Sequence, residues 1–93
     1  MPKVVVYSTK FCPYCDRAKS LLQRKGVGYK EIKVDQDMNL MKEMMDRSKR
    51  RTVPQIFIGD THVGGYDDMA ALDSAGKLDS LLGIPPKERD EVT

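Results

Sequence analysis

Apolar residues in this chain come in short bursts, and the spacing within each burst assigns the elements. Lys3 to Tyr7 is a β-branched run with no polar alternation, the pattern of a strand covered on both faces. Ser8 to Phe11 reads as a turn. From about Pro13 to Lys25 the spacing lengthens, and Ala18, Leu21 and Leu22 fall on one stripe. That predicts an amphipathic helix with proline in its first turn, stopped by Gly26 and Gly28. Tyr29 to Val34 returns to alternation, with Ile32 and Val34 on one side and Glu31 and Lys33 on the other. Strand, helix and strand within about thirty residues imply a right-handed crossover between two parallel strands.

Asp35 to Asp37 supplies turn and cap chemistry for a second helix, Met38 to Ser48. Its expected inner face is Met38, Met41, Met44 and Met45, methionines read as core filler and not as ligands. Gln55 to Ile58, the turn Gly59-Asp60 and Thr61 to Gly64 predict a tight hairpin. Asp67 or Asp68 is expected to cap a helix that runs to about Ala75 and ends at Gly76, and Leu78 to Leu82 forms a last short helix. The sum is an α/β domain over residues 1–84, in the order β-α-β-α-β-β-α, with a four-stranded mixed sheet between helices. Pro85 to Thr93 is polar and proline-led, and reads as a frayed tail.

Composition narrows the function classes. The chain has 93 residues and a net charge of +2, too small a charge to argue for nucleic acid or a membrane surface as partner. The longest apolar run near the start, Val4 to Tyr7, is too short for a signal-peptide core or a membrane span. A reducing cytoplasm is the default expectation, a processed organellar form being the alternative with the same composition, and the chain is expected to be a monomer. Two cysteines do not make a structural disulfide framework. Nor do they make a zinc site, since zinc wants four ligands and the chain adds only His62, expected at the surface beside the hairpin turn. No metal and no permanently bound cofactor is expected.

The chemistry lies in Cys12-Pro13-Tyr14-Cys15, at the junction of first strand and first helix. Residues three apart share one side of a helical turn, so their Cα atoms lie roughly 5 Å apart, within disulfide range. A thiol at the first turn faces unpaired N–H groups and the positive end of the helix dipole, which favour the thiolate. Cys12, at the edge of the helix, is the expected nucleophile. Cys15, one turn further in, is the expected resolving thiol. Lys10, Arg17 and Lys19 are nearby cations whose directions the sequence leaves open.

Three further segments qualify as parts of a site. Thr52-Val53-Pro54 precedes the hairpin, and a cis bond at Val53-Pro54 would turn the Val53 backbone outward beside Cys12, ready to pair with an extended peptide. Gly64-Gly65-Tyr66-Asp67-Asp68 combines glycines with a helix start, which suits a carboxylate next to an ammonium group, as in an α-amino acid. The basic run Arg47, Lys49, Arg50 and Arg51 mostly favours a helix end, with Arg50 or Arg51 available to a carboxylate across the cleft.

With these segments in this order, from about Lys3 to Gly83, the chain resembles a dithiol glutaredoxin of the thioredoxin-like fold. Thioredoxins proper carry a tryptophan before Cys-Gly-Pro-Cys, and this chain has no tryptophan. The resemblance implies an oxidoreductase that uses glutathione as co-substrate and acts on glutathionylated or disulfide-containing proteins. It implies that the glutathione sulfur meets Cys12, that its cysteinyl backbone pairs with Val53 between Thr52 and Pro54, and that its γ-glutamyl end binds Gly65, Tyr66 and Asp67. Its glycine carboxylate would meet Lys10, Arg50 or Arg51 on the Tyr14 side. Two positions depart from the family pattern: Thr9 stands where relatives often have lysine, and Tyr66 where they commonly have a small residue or cysteine. Two rival readings share these residues, a redoxin reduced by thioredoxin reductase and a dimer holding a [2Fe–2S] cluster with glutathione, which Pro13 disfavours by stiffening the loop.

Overall fold

The computed structural model describes residues 2–84; the segment read as a tail lies outside them. The elements run β1 Val4–Ser8, α1 Pro13–Arg24, β2 Lys30–Lys33, α2 Met38–Ser48, β3 Gln55–Ile58, β4 Thr61–Gly64, α3 Tyr66–Ser74 and α4 Leu78–Leu82. They form one four-stranded sheet in the order β2-β1-β3-β4. β1 pairs parallel with β2, as the crossover requires, and antiparallel with β3, which pairs antiparallel with β4.

The uniform apolar run of β1 has its cause in this order, because β1 is an inner strand covered on both sides. Val4 and Val6 join Ala18, Leu21, Leu22, Ile56, Met69, Leu78 and Leu82 in one core cluster, on the α1, α3 and α4 face. Val5 and Tyr7 point the other way, to Val34, Met44 and Phe57 under α2. α1 ends as a Schellman motif: the Gly26 N–H donates to Gln23 O at 3.0 Å and the Val27 N–H to Leu22 O at 3.1 Å. Gly26 has φ +73°, so it alone performs the stop that the sequence divides between two glycines.

Two expectations need correction. Met38 is 88% exposed, not part of the inner face of α2, whereas Met44 is fully buried and the partly buried Leu40, Met41 and Met45 pack against the core cluster it belongs to. At 100° per residue Met38, the first residue of α2, lies about 90° from the middle of that stripe. The start of α3 also differs. Gly65 is the N-cap and helix begins at Tyr66, so neither Asp67 nor Asp68 occupies the cap position. The cap of α2 is as expected, with Asp37 Oδ1 accepting the Asn39 N–H at 2.8 Å.

Candidate active site

Cys12 is the N-cap of α1, in extended conformation, with Pro13 opening the helix behind it. Its Sγ accepts the Cys15 N–H at 3.1 Å, one of the donors that a helix start leaves without intrahelical partners. The two cysteines are joined as a disulfide with Cα atoms 5.1 Å apart, so this is the oxidised form. Cys12 is 9% exposed and Cys15 fully buried, which makes Cys12 the sulfur an incoming disulfide reaches. Of the neighbouring cations, Lys19 turns to Glu31 Oε2 at 2.9 Å and Arg17 lies 5.2 Å from the centre of the Tyr14 ring. Lys10 lies 5.4 Å from the centre of the Phe11 ring, and its backbone N–H donates to Asp35 Oδ2 at 3.0 Å.

The Val53-Pro54 peptide is cis, and the Val53 carbonyl oxygen lies 3.9 Å from Cys12 Sγ. Beside this contact runs an open cleft of about 190 Å³. Its walls are Tyr14, Thr52, Val53, Pro54, Gly65, Tyr66 and Asp67. Seven residues singled out from three separate stretches of sequence thus meet in one groove. Lys10 and Arg51 lie outside those walls, Arg51 as an exposed residue. The Tyr14 and Tyr66 rings stand 6.3 Å apart at a tilt of 32°.

Gly65, one wall of the groove, is held by a carboxylate that the sequence offers as a helix cap. Asp68 reaches back from the first turn of α3 and accepts the Gly65 N–H at 2.9 Å and the Arg50 guanidinium at 3.0 Å. The Gly65 hydrogen bond, then Arg50, holds the Asp68 carboxyl below its ordinary pKa. Arg50 is thereby committed to α3, and Asp67 is the acidic residue left at the groove. Gly64 makes this possible. Its φ is +114°, and a Cβ there would collide with Asp68 Oδ2.

Two residues with ties to the groove were missed. Gln55 is fully buried, and its amide nitrogen donates to Thr52 O at 3.0 Å and Thr52 Oγ1 at 3.2 Å. His62 is half-buried, not a surface residue: its ring stacks on Phe57 at 4.8 Å and its Nε2 lies 2.8 Å from Gln55 Oε1. Burial, followed by the Arg50 charge, lowers the His62 pKa. The available signal was an amide at the head of an otherwise apolar strand, Gln55-Ile56-Phe57-Ile58.

Among the described residues no helix is long and apolar enough to cross a membrane, and no group of three or more His, Cys, Asp or Glu side chains is placed to hold a metal ion. Comparison with known proteins gives one consistent result. The family model "Glutaredoxin" matches residues 4–63. A glutaredoxin of Pseudomonas aeruginosa is 58% identical over 88% of this chain and 98% of its own length. Glutaredoxin 3 of Escherichia coli is 51% identical over 88% and 99%. Among solved structures, the Brucella melitensis glutaredoxin superimposes with a TM-score of 0.80 at 54% identity, over 90% of this chain and 91% of that one. A buckwheat glutaredoxin–glutathione complex does so with a TM-score of 0.81 at 34% identity, over 88% and 77%.

Proposed function

From the premise that this chain belongs to the glutaredoxin family and is a thiol–disulfide oxidoreductase, we propose that glutathione is its reductant and that the groove beside Cys12 binds it. One observation carries the reading. The more exposed sulfur of the pair sits at a helix N-terminus, 3.9 Å from the Val53 carbonyl, at a groove that ends in a helix start and an acidic residue. That order matches the tripeptide. The cysteinyl backbone pairs with Val53 as an added strand beside Thr52 and Pro54. The γ-glutamyl carboxylate lies beside Gly65 against the N–H groups of Tyr66 and Asp67 at the start of α3, the Gly65 N–H being held by Asp68. The γ-glutamyl ammonium group lies against the Asp67 carboxylate. The glycine carboxylate takes Lys10 or Arg51 beside Tyr14.

The chemistry is two exchanges at one sulfur. The Cys12 thiolate attacks the glutathione sulfur of a protein–glutathione mixed disulfide; a Cys12–glutathione bond forms as the protein thiolate leaves. The thiolate of a second glutathione attacks the bound glutathione sulfur, releasing glutathione disulfide and restoring the Cys12 thiolate. On a protein disulfide, Cys12 forms a mixed disulfide with the substrate, and Cys15 then displaces the substrate thiolate and closes the Cys12–Cys15 bond. Such an enzyme works as a monomer in a reducing cytoplasm, on glutathionylated and disulfide-containing proteins.

The test is turnover of a small glutathione mixed disulfide, coupled to glutathione reductase, beside reduction of a protein disulfide. Cys12→Ser is expected to abolish both. Cys15→Ser is expected to keep the first and lose the second. Equal loss of both activities in the two variants would refute the division of labour.

A further inference from the structure

We propose that His62 and Gln55 are positioning residues for the exchange: the imidazole locks the Gln55 amide, and that amide holds the Thr52–Val53 backbone at the Cys12 sulfur. The proposal rests on the glutathione reading above, since it names what keeps the peptide-pairing backbone in register.

The hydrogen bonds permit one polarity only. Thr52 O is an acceptor without a proton, so the Gln55 atom 3.0 Å away must be the amide nitrogen. The other end of the amide, Oε1, is then an acceptor, and His62 Nε2, 2.8 Å from it, must carry hydrogen. Thus the His62 tautomer is set by Gln55, and the Gln55 orientation by Thr52. Each member is itself fixed. Gln55 has no exposed surface and lies opposite Tyr7 on β1. His62 lies opposite Phe57 in the β3–β4 ladder, its ring tilted only 25° from the Phe57 ring. The Arg47 guanidinium carbon lies 4.1 Å from the centre of that same Phe57 ring. A chain of contacts therefore runs from α2 through β3 and β4 to the loop whose next carbonyl, that of Val53, faces Cys12 Sγ.

A buried amide rotates if one of its ends loses a partner, because an unmet acceptor away from water is costly. Without the imidazole donor, Gln55 is freed to turn, and the Thr52 carbonyl loses its anchor. The sulfur chemistry is untouched, but the backbone that pairs with the substrate is no longer pre-ordered. The effect should fall on substrate binding and spare the rate of the bound complex.

His62→Phe keeps a ring on Phe57 and removes the donor. Its KM for a small glutathione mixed disulfide is expected to rise about tenfold, equivalent to about 1.4 kcal/mol, with kcat within about twofold of wild type. His62→Gln, which restores an N–H, should recover most of the KM. Adding His62→Phe to Gln55→Leu should raise KM no further, because both act through one amide. In the wild-type protein the two Gln55 side-chain protons should exchange slowly with solvent by NMR, a measurement independent of whether any variant folds. Free exchange of those protons, an unchanged KM in His62→Phe, or additive effects in the double variant would overturn the proposal. A wild-type protein with no turnover of the mixed disulfide would sink the glutathione reading and this one together. An active wild type matched by His62→Phe would sink this one alone.

Discussion

Replacing Gly64 with alanine adds one carbon at the point where β4 hands over to α3, and its cost can be worked from the backbone conformation and two interactions of Asp68. The backbone there has φ +114°, a conformation that costs a side-chain-bearing residue about 1–3 kcal/mol. The new Cβ would collide with Asp68 Oδ2 and lie 2.9 Å from its Cγ, so the carboxylate must swing away. Swinging away breaks its bond to the Gly65 N–H, worth about 1.5 kcal/mol for a charged acceptor near the surface. The Arg50 partner adds little, because both ends of that ion pair are about half exposed, 49% and 46%, and such pairs contribute about 0–1 kcal/mol. The sum is a loss of about 2.5–5.5 kcal/mol, which for a domain of this size lowers Tm by about 10–40 °C.

Urea and thermal unfolding of the reduced protein measure that loss, and pH identifies its origin. Asp68 has a depressed pKa in the folded state, so its contribution is present above the unfolded-state value and disappears as pH falls through the folded one. The gap between wild type and Gly64→Ala should therefore narrow in acid. Asp68→Ala should also cost much less in the Gly64→Ala background than in the wild type. A destabilisation below about 0.5 kcal/mol, or full additivity of the two substitutions, would refute the reasoning.

The remaining predictions concern the frame around the site. Ser8 is fully buried, and its hydroxyl donates to Glu31 Oε2 at 2.6 Å, the largest cause of the lowered Glu31 pKa. Ser8→Ala should cost about 1–2 kcal/mol at neutral pH. Because the Glu31 pKa is depressed on folding, that cost should shrink as pH falls through the carboxylate range, read from urea midpoints at neutral and acidic pH. Met44→Ala should lose about 2–5 kcal/mol by opening a cavity under α2. Met38→Ala should change stability by less than about 0.5 kcal/mol, and equal losses in the two would contradict the corrected face of α2.

Local patterns that carry their own cause were legible in the chain. The double-sided burial of β1, the Gly59-Asp60 hairpin, the proline-opened α1 and the pairing of Cys12 with Cys15 each follow from residues within a few positions of one another. The cis bond at Val53-Pro54 was suggested by the shape of the fold and not by the local spacing, which fits an ordinary proline before a strand equally well. The misses depend on phase or on distance along the chain. Met38 has the right spacing from Met41 and Met45, but the buried stripe is centred on the side away from it. At the start of α3 the cap residue, Gly65, has no side chain, so attention falls on the acids that follow; Asp68 caps from inside the helix instead. Gln55 and His62 stand seven residues apart on two strands, and their bond exists only because the hairpin folds them onto one face. Arg50 and Asp68 meet across eighteen positions, and the sequence gives each several equally charged neighbours to choose from.

The most direct measurement is mass spectrometry of the Cys15→Ser protein after exposure to glutathione disulfide, with Cys12 its sole remaining thiol. One glutathione per chain is expected, attached at Cys12, formed with a half-maximal rate below about pH 7.5, and removed by reduced glutathione. A protein that stays unlabelled at neutral pH, or labels only where an ordinary thiol ionises, would contradict the account.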